Sequence, residues 1–295
     1  MGQSRYWHWA ALGCLWSCIG IASLGAAELP QDGKANQGNS DPHQNEREQI
    51  RQHHLNRLAA RLSEPPEKLQ ERCAYESEIG LAPPRKQVVL TFDDGPEPGR
   101  TEAILATLAK HHISAAFFLI GEKAAKYPEL VKKILEDGHH LVGNHSWTHP
   151  NFHAIDEQVQ AREIQETDQL LASSLGSKKL FRYPYGNSTC PSNETARQLG
   201  YRIVGWHVDS CDWAFDREGS VDDKEALSCG VLPQNRNNFV EHVLSTIRAH
   251  NGGIVLMHEI HPHTLSHLEE LITHIEAEGF SFASLADEDY QPYLR

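Results

Sequence analysis

Two adjacent carboxylates and three histidines carry the chemistry that this sequence could perform. Asp93 and Asp94 end the apolar run "QVVLTF" and are followed at once by Gly95-Pro96, which forces a turn. Neighbouring carboxylates repel unless a cation divides their tasks. His145 and His149 stand four apart in "GNHSWTHPNF", but with 19 histidines among 295 residues the spacing alone carries little weight. Beside Asp94 the pair gains meaning, because two imidazoles and one carboxylate form a facial ligand set with open positions for water and substrate. Such a dication polarises a carbonyl and acidifies water. Asp93 is then the natural base, and His258, at the end of "GGIVLMH", the natural acid. The competing structural reading has one of the aspartates capping a helix that starts near Thr101. His111, His112, His139, His140, His242 and His267 lack comparable partners and are expected to be structural.

These residues need elements to bring them together. From residue 87 onward short apolar runs alternate with amphipathic segments: "QVVLTF", "AAFFLIG", "HLVGN", "LFRYP", "RIVGWHV", "GGIVLMH" and "FSFASL" are strand candidates. Helices are expected at 101–111, 122–137, 156–175, 192–200, 236–250 and 264–278. About seven strand–helix units in succession imply an α/β fold with a parallel sheet, closed as a barrel or doubly wound. In both, functional residues collect at the C-terminal strand ends, where Asp93, His145, Arg182, Tyr185, Asp209 and His258 all fall.

The remaining segments bound the setting. Residues 1–27 hold one basic residue, Arg5, then an uncharged run from Tyr6 to Ala27, and read as a secretory signal peptide cut near Glu28. A retained membrane anchor is the alternative; with cleavage the mature chain has no membrane span and is periplasmic or secreted. Residues 28–47 are polar and read as a flexible linker, 48–85 as a helical N-terminal extension, and 86–290 as the catalytic domain. After cleavage Cys73, Cys190, Cys211 and Cys229 remain, enough for two disulfides in an exported chain, with Cys211–Cys229 the expected pair. A formal net charge of -13 argues against nucleic acid as partner. No H-E-x-x-H pattern suggests a zinc peptidase and no G-x-S-x-G elbow a serine hydrolase.

"TFDDGP", "HSWTHP", "RYPYG", "DSCDW" and "LMH" occur in the order, and at spacings similar to those, of the motifs of the NodB-type polysaccharide deacetylases, carbohydrate esterase family four. The resemblance covers about residues 86–286. It implies a distorted (β/α) barrel of about seven parallel strands. It also implies a metal-dependent hydrolase that removes N-acetyl groups from an amino-sugar polysaccharide, peptidoglycan or a chitin-like polymer. An O-acetyl esterase acting on xylan, or an inactive carbohydrate-binding relative, are the alternatives. Carried over onto this sequence, Asp93 is the base; Asp94, His145 and His149 hold the metal, with Zn2+ expected and Co2+, Ni2+, Mn2+ or Fe2+ as alternatives. Arg182 orients Asp93, and the backbone N–H of Tyr185 helps bind the oxyanion. Asp212 pairs with the acid His258, although Asp209 in the same motif offers a second carboxylate. Trp213 walls the sugar pocket and Leu256 lines the slot for the acetyl methyl. His261 and His263 are expected at the same rim with no catalytic task, and 214–238 as a long loop bordering the groove.

Overall fold

In a computed structural model the described residues are 44–46, 48–50, 52, 79 and 81–295. The signal segment 1–27 and most of the linker and N-terminal extension lie outside them. Residues 44–46 are already helical although the linker was expected to run to 47; Ile50 is buried and Glu46 reaches Arg248 at 3.5 Å. Among the described residues no helix is long and apolar enough to cross a membrane.

The sheet is built on β1, Gln87–Gly95, buried along nearly its whole length. Burial on both faces explains its continuous apolar sequence. β2 (Ala115–Leu119), β3 (Leu141–Asn144), β4 (Lys179–Phe181) and β5 (Tyr201–Ile203) follow to one side of β1; β7 (Gly252–His258) and β6 (Val208–Asp209) lie on the other. Their mutual pairing is parallel, and the short β8 (Ser281–Phe282) adds to the start of β1. "RIVGWHV" is therefore not one strand. It divides into β5 and β6, which occupy opposite edges of the sheet.

This division forces closure. Only residues 204–207 join the two edges, a span of at most about 18 Å. A flat sheet would hold its first and seventh strands about 29 Å apart. The sheet must curl until its edges face each other, which makes the distorted barrel. The seam is bridged by the C-terminus, where Val204 pairs with Leu294 and Ile203 exchanges backbone hydrogen bonds with Arg295.

Side-chain alternation along β1 sorts the layers. Val88, Leu90 and Phe92 face the outer helices, with Ile104, Leu108 and Leu271 in one cluster. Val89 faces the interior with Phe118, Ile254 and Leu294. By the same period of two, Thr91 and Asp93 belong to the interior face. Helices form close to their expected places, except that 122–137 is two helices, Gly121–Lys126 and Pro128–Leu135. Pro128 lacks the N–H that would continue the first helix and starts the second. The segment expected as a loop, 214–238, contains most of helix Asp212–Glu218 and all of helix Asp223–Cys229, tied to each other's bases by the Cys211–Cys229 disulfide. Asp222 caps the second helix by accepting from Glu225 N–H.

Phe117 is fully buried and stacks on Phe92 with ring centroids 5.3 Å apart. Phe117→Ala is expected to cost about 3–5 kcal/mol, read from urea unfolding followed by circular dichroism.

Candidate active site

A cavity of about 590 Å³ opens at the C-terminal ends of the strands. Asp93, Asp94, His145, His149, His258, Tyr185, Trp213 and Leu256 all line it. Arg182 lies beneath, fully buried, and Asp212 lies behind His258.

The two aspartates reach one pocket because the strand breaks its own rule. Asp93 points inward by alternation, and its neighbour should point out. The β1–β2 register shifts between Asp93 and Gly95, and Asp94 has φ 70, in the left-handed region. This bulge turns Asp94 back beside Asp93. Neither residue caps the following helix, whose N-cap is Gly99. The turn is clasped from below by Glu259, whose N–H donates to the Asp93 carbonyl at 2.9 Å and whose carboxyl accepts from Thr101 Oγ1. Gly95 packs on that carboxyl so closely that a Cβ would fall 1.7 Å from Oε1. Burial pushes the Glu259 carboxyl up to about 8, against the hydrogen bond from Thr101 and the charge of Lys123. The motif reading missed Glu259; its only sequence signal is its place directly after His258.

His145 and His149 are delivered by a turn at the end of β3. Asn144 Oδ1 accepts from Ser146 N–H, and Ser146 Oγ accepts from His149 N–H. Glu163 accepts from Trp147 N–H, Thr148 N–H and Thr148 Oγ1. Ser146 and His149 both take positive φ, a cost that these contacts hold in place. The His145 Nδ1–H donates to the Arg182 carbonyl at 2.7 Å, which leaves the Nε2 lone pair facing the pocket.

Asp94 Oδ1 is buried without a well-formed hydrogen bond, 3.5 Å from His145 Nε2 and 3.2 Å from His149 Nε2. An oxygen and two imidazole nitrogens converging on an orphaned carboxylate fit a dication. Burial pushes the Asp94 carboxyl up, but contact with His145 and the charges of His258, His145 and His149 hold it below the usual carboxylate range. Burial, reinforced by His145, lowers the His149 ring to about 4, so it is neutral and available to coordinate at neutral pH.

Arg182 spans the interior. One nitrogen donates to Asp93 Oδ1 and Thr91 Oγ1, each at 2.8 Å, and the others to the carbonyls of Val204 and Gly205 at 3.3 and 3.1 Å. Its plane stacks on Phe118 at 4.2 Å. Burial weakens its hold on its proton and Asp93 opposes that effect.

His258 settles which carboxylate it uses. Its Nδ1 bonds Asp212 Oδ1 at 2.7 Å, and its backbone N–H donates to Asp212 Oδ2. Asp209 Oδ1 instead accepts from Cys211 N–H. Burial works against a charged ring, but Asp212, Asp94 and Asp93 raise His258 to about 10. Tyr185 is 66% exposed with φ 57, its ring 4.8 Å from that of His149. Trp206 and Tyr183 also line the cavity; in the sequence Trp206 has the pattern of one more strand residue in "RIVGWHV". Of the histidines expected to be structural, His140 accepts from Ala115 N–H, His242 bonds the Asp209 carbonyl and His111 pairs with Glu269.

The family model for polysaccharide deacetylase matches residues 80–204. A chitooligosaccharide deacetylase of Rhizobium leguminosarum bv. trifolii is 33% identical over 235 residues, covering 73% of this chain and 99% of the relative. The chain belongs to the polysaccharide deacetylase family. The peptidoglycan N-acetylglucosamine deacetylase PgdA of Listeria monocytogenes is 34% identical over 219 residues, 74% of this chain. The chain spans under half of that relative, 42% of its length. Among solved structures, a family pseudoenzyme from Bacillus anthracis superposes with TM-score 0.55 at 26% identity, covering 69% of this chain and 65% of that one. The family match ends before Asp212 and His258, whose pairing rests on the geometry above.

The His258–Asp212 pair makes a testable electrostatic statement. A histidine raised from 6.5 to about 10 stabilises the fold fully below 6.5 and loses that contribution as pH rises through about 10. In metal-free protein, Asp212→Asn is expected to drop the His258 pKa to or below its ordinary value, because burial remains and its main counter-charge is gone. Imidazole NMR titration checks this; an unmoved pKa contradicts it.

Proposed function

We propose that this protein hydrolyses the N-acetyl groups of an amino-sugar polysaccharide, a peptidoglycan or chitin-like N-acetylglucosamine polymer, releasing acetate and a free amine. The observation that carries this reading is the joint presence, in one cavity, of a base, three ligand groups and an acid. A fold shared with a pseudoenzyme does not by itself imply turnover, but a full set of reacting groups does support it.

A dication held by Asp94, His145 and His149 would supply Lewis acidity at the acyl carbonyl and toward the attacking water. Zinc suits two imidazoles and a carboxylate, with cobalt, nickel, manganese or iron as alternatives. Asp93 takes the water's proton on Oδ2, since Oδ1 is engaged by Arg182. The Tyr185 backbone N–H faces the developing oxyanion. His258, with Nδ1 committed to Asp212, presents Nε2 as the donor to the departing nitrogen. An amine anion is a very poor leaving group, so an acid that stays protonated well above neutrality suits an amide. Leu256, 5% exposed, closes the acetyl side, and Trp213 lies along the sugar. The enzyme acts outside the cytoplasm, a location supported by the secretory character of residues 1–27 and by the Cys211–Cys229 disulfide.

Acetate release from chitooligosaccharides, peptidoglycan and acetylated xylan, with chelator and metal add-back, tests the reading. Metal-restored release from the N-acetylated glycans is expected. Release from xylan alone would move the reaction to esters, and no release from any would leave a binding protein. His149→Ala is expected to lose the metal, measured by elemental analysis. His258→Ala is expected to keep it while turnover falls about 10²–10⁴-fold.

A further inference from the structure

The helix Asp212–Glu218, with the end of β7 and the segment after it, builds the His–Asp arrangement twice. Asp212 pairs with His258; four residues on, Asp216 pairs with His261, Oδ2 to Nδ1 at 2.7 Å. The other Asp216 oxygen accepts from His263 N–H at 2.7 Å and lies 3.4 Å from His263 Nδ1. The His261 ring stands edge-on to that of His258, centroids 5.3 Å apart, and lines the same cavity beside Trp213 and Ser228. The mechanism uses His258 and leaves His261 without a task.

A second metal site is a poor account of this pair. Each Asp212 oxygen already accepts twice, Oδ1 from His258 Nδ1 and Trp213 N–H, and Oδ2 from His258 N–H and Thr264 Oγ1. A carboxylate only accepts, so Nδ1 of His261 must carry a proton; in the neutral ring this fixes the tautomer that leaves Nε2 a lone pair. In that tautomer the ring offers a hydrogen-bond acceptor at the cavity wall next to His258.

We propose that His261, oriented by Asp216, binds the hydroxyl on the sugar carbon next to the acetamido-bearing carbon, and so selects N-acetylglucosamine-type over N-acetylmuramic-type residues. The inference rests on the deacetylase reading. His258 must reach the nitrogen on one ring carbon, so its flanking neighbour meets the substituent on the adjacent carbon. A free hydroxyl has a proton to give. The lactyl ether of a muramic residue has none there, and its carboxylate would approach Asp216. A polar site left unpaired discriminates strongly against the analogue that lacks the donor. Asp216 is a positioning residue in this scheme, and His261 a binding residue.

The test uses the full metal-loaded chain with chitotetraose and with glycan strands containing both residue types, the deacetylated positions being located by mass spectrometry. Wild type is expected to favour N-acetylglucosamine. His261→Ala is expected to raise KM for chitotetraose about tenfold with a much smaller change in kcat, and to narrow the preference between residue types by a similar factor. His261→Asn, which retains an acceptor oxygen, should recover part of the loss, which a merely structural role would not predict. As a measurement independent of turnover, calorimetry on Asp93→Asn with and without His261→Ala should show about tenfold weaker chitotetraose binding. Unchanged KM and affinity, or equal losses on both residue types, would overturn the inference while leaving the deacetylase reading intact. No acetate from either residue type in wild type would remove both.

Discussion

The buried ion pair between Arg182 and Asp93 is the constraint around which the site is arranged. A fully buried guanidinium is costly unless every donor finds a partner. Here it is met by Asp93, Thr91 and the carbonyls of Val204 and Gly205. Those carbonyls belong to the crossover between the sheet's two edges, so one side chain joins the seam of the barrel to the base. Removing Arg182 would leave both a carboxylate and a strand crossover unpaired. The pair also makes the two oxygens of Asp93 unequal: one is held, and the other is free for a proton.

The rest of the machinery is separated by backbone conformation more than by distance along the chain. A bulge and a left-handed φ swing Asp94 into the pocket beside its neighbour. His145 and His149 need the same kind of support, from Asn144, Ser146 and Glu163. At the end of β7, Asp212 anchors His258 from a helix whose base is fastened by Cys211–Cys229.

Much of this is legible in the sequence, because apolar runs ending in polar residues mark the strand termini where side chains converge. Asp93, His145 and His258 stand out on that ground, and Asp94 and His149 by their places beside Asp93 and four residues after His145. What is not legible depends on long-range closure. "RIVGWHV" has the composition of one strand, and only the curling of the sheet sends Val208 and Asp209 to the far edge. The choice of Asp212 over Asp209 follows from that geometry, since both lie in one short motif. Glu259 gives no signal beyond its place after His258, because a buried glutamate beneath a turn looks in sequence like any surface glutamate. The paired helices overlapping 214–238 are short and weakly patterned, and a disulfide ties them together beside the core contacts of Ala214, Phe215 and Ala226.

The central claim is that two adjacent carboxylates have been given different work, Asp94 to a metal and Asp93 to a proton. Elemental analysis and acetate release measured on the same preparations of Asp93→Asn and Asp94→Asn test it most directly. The account predicts that Asp93→Asn keeps one metal per chain and releases no acetate, while Asp94→Asn loses the metal. An Asp93→Asn protein that loses its metal, or one that still turns over, would contradict the division on which the mechanism stands.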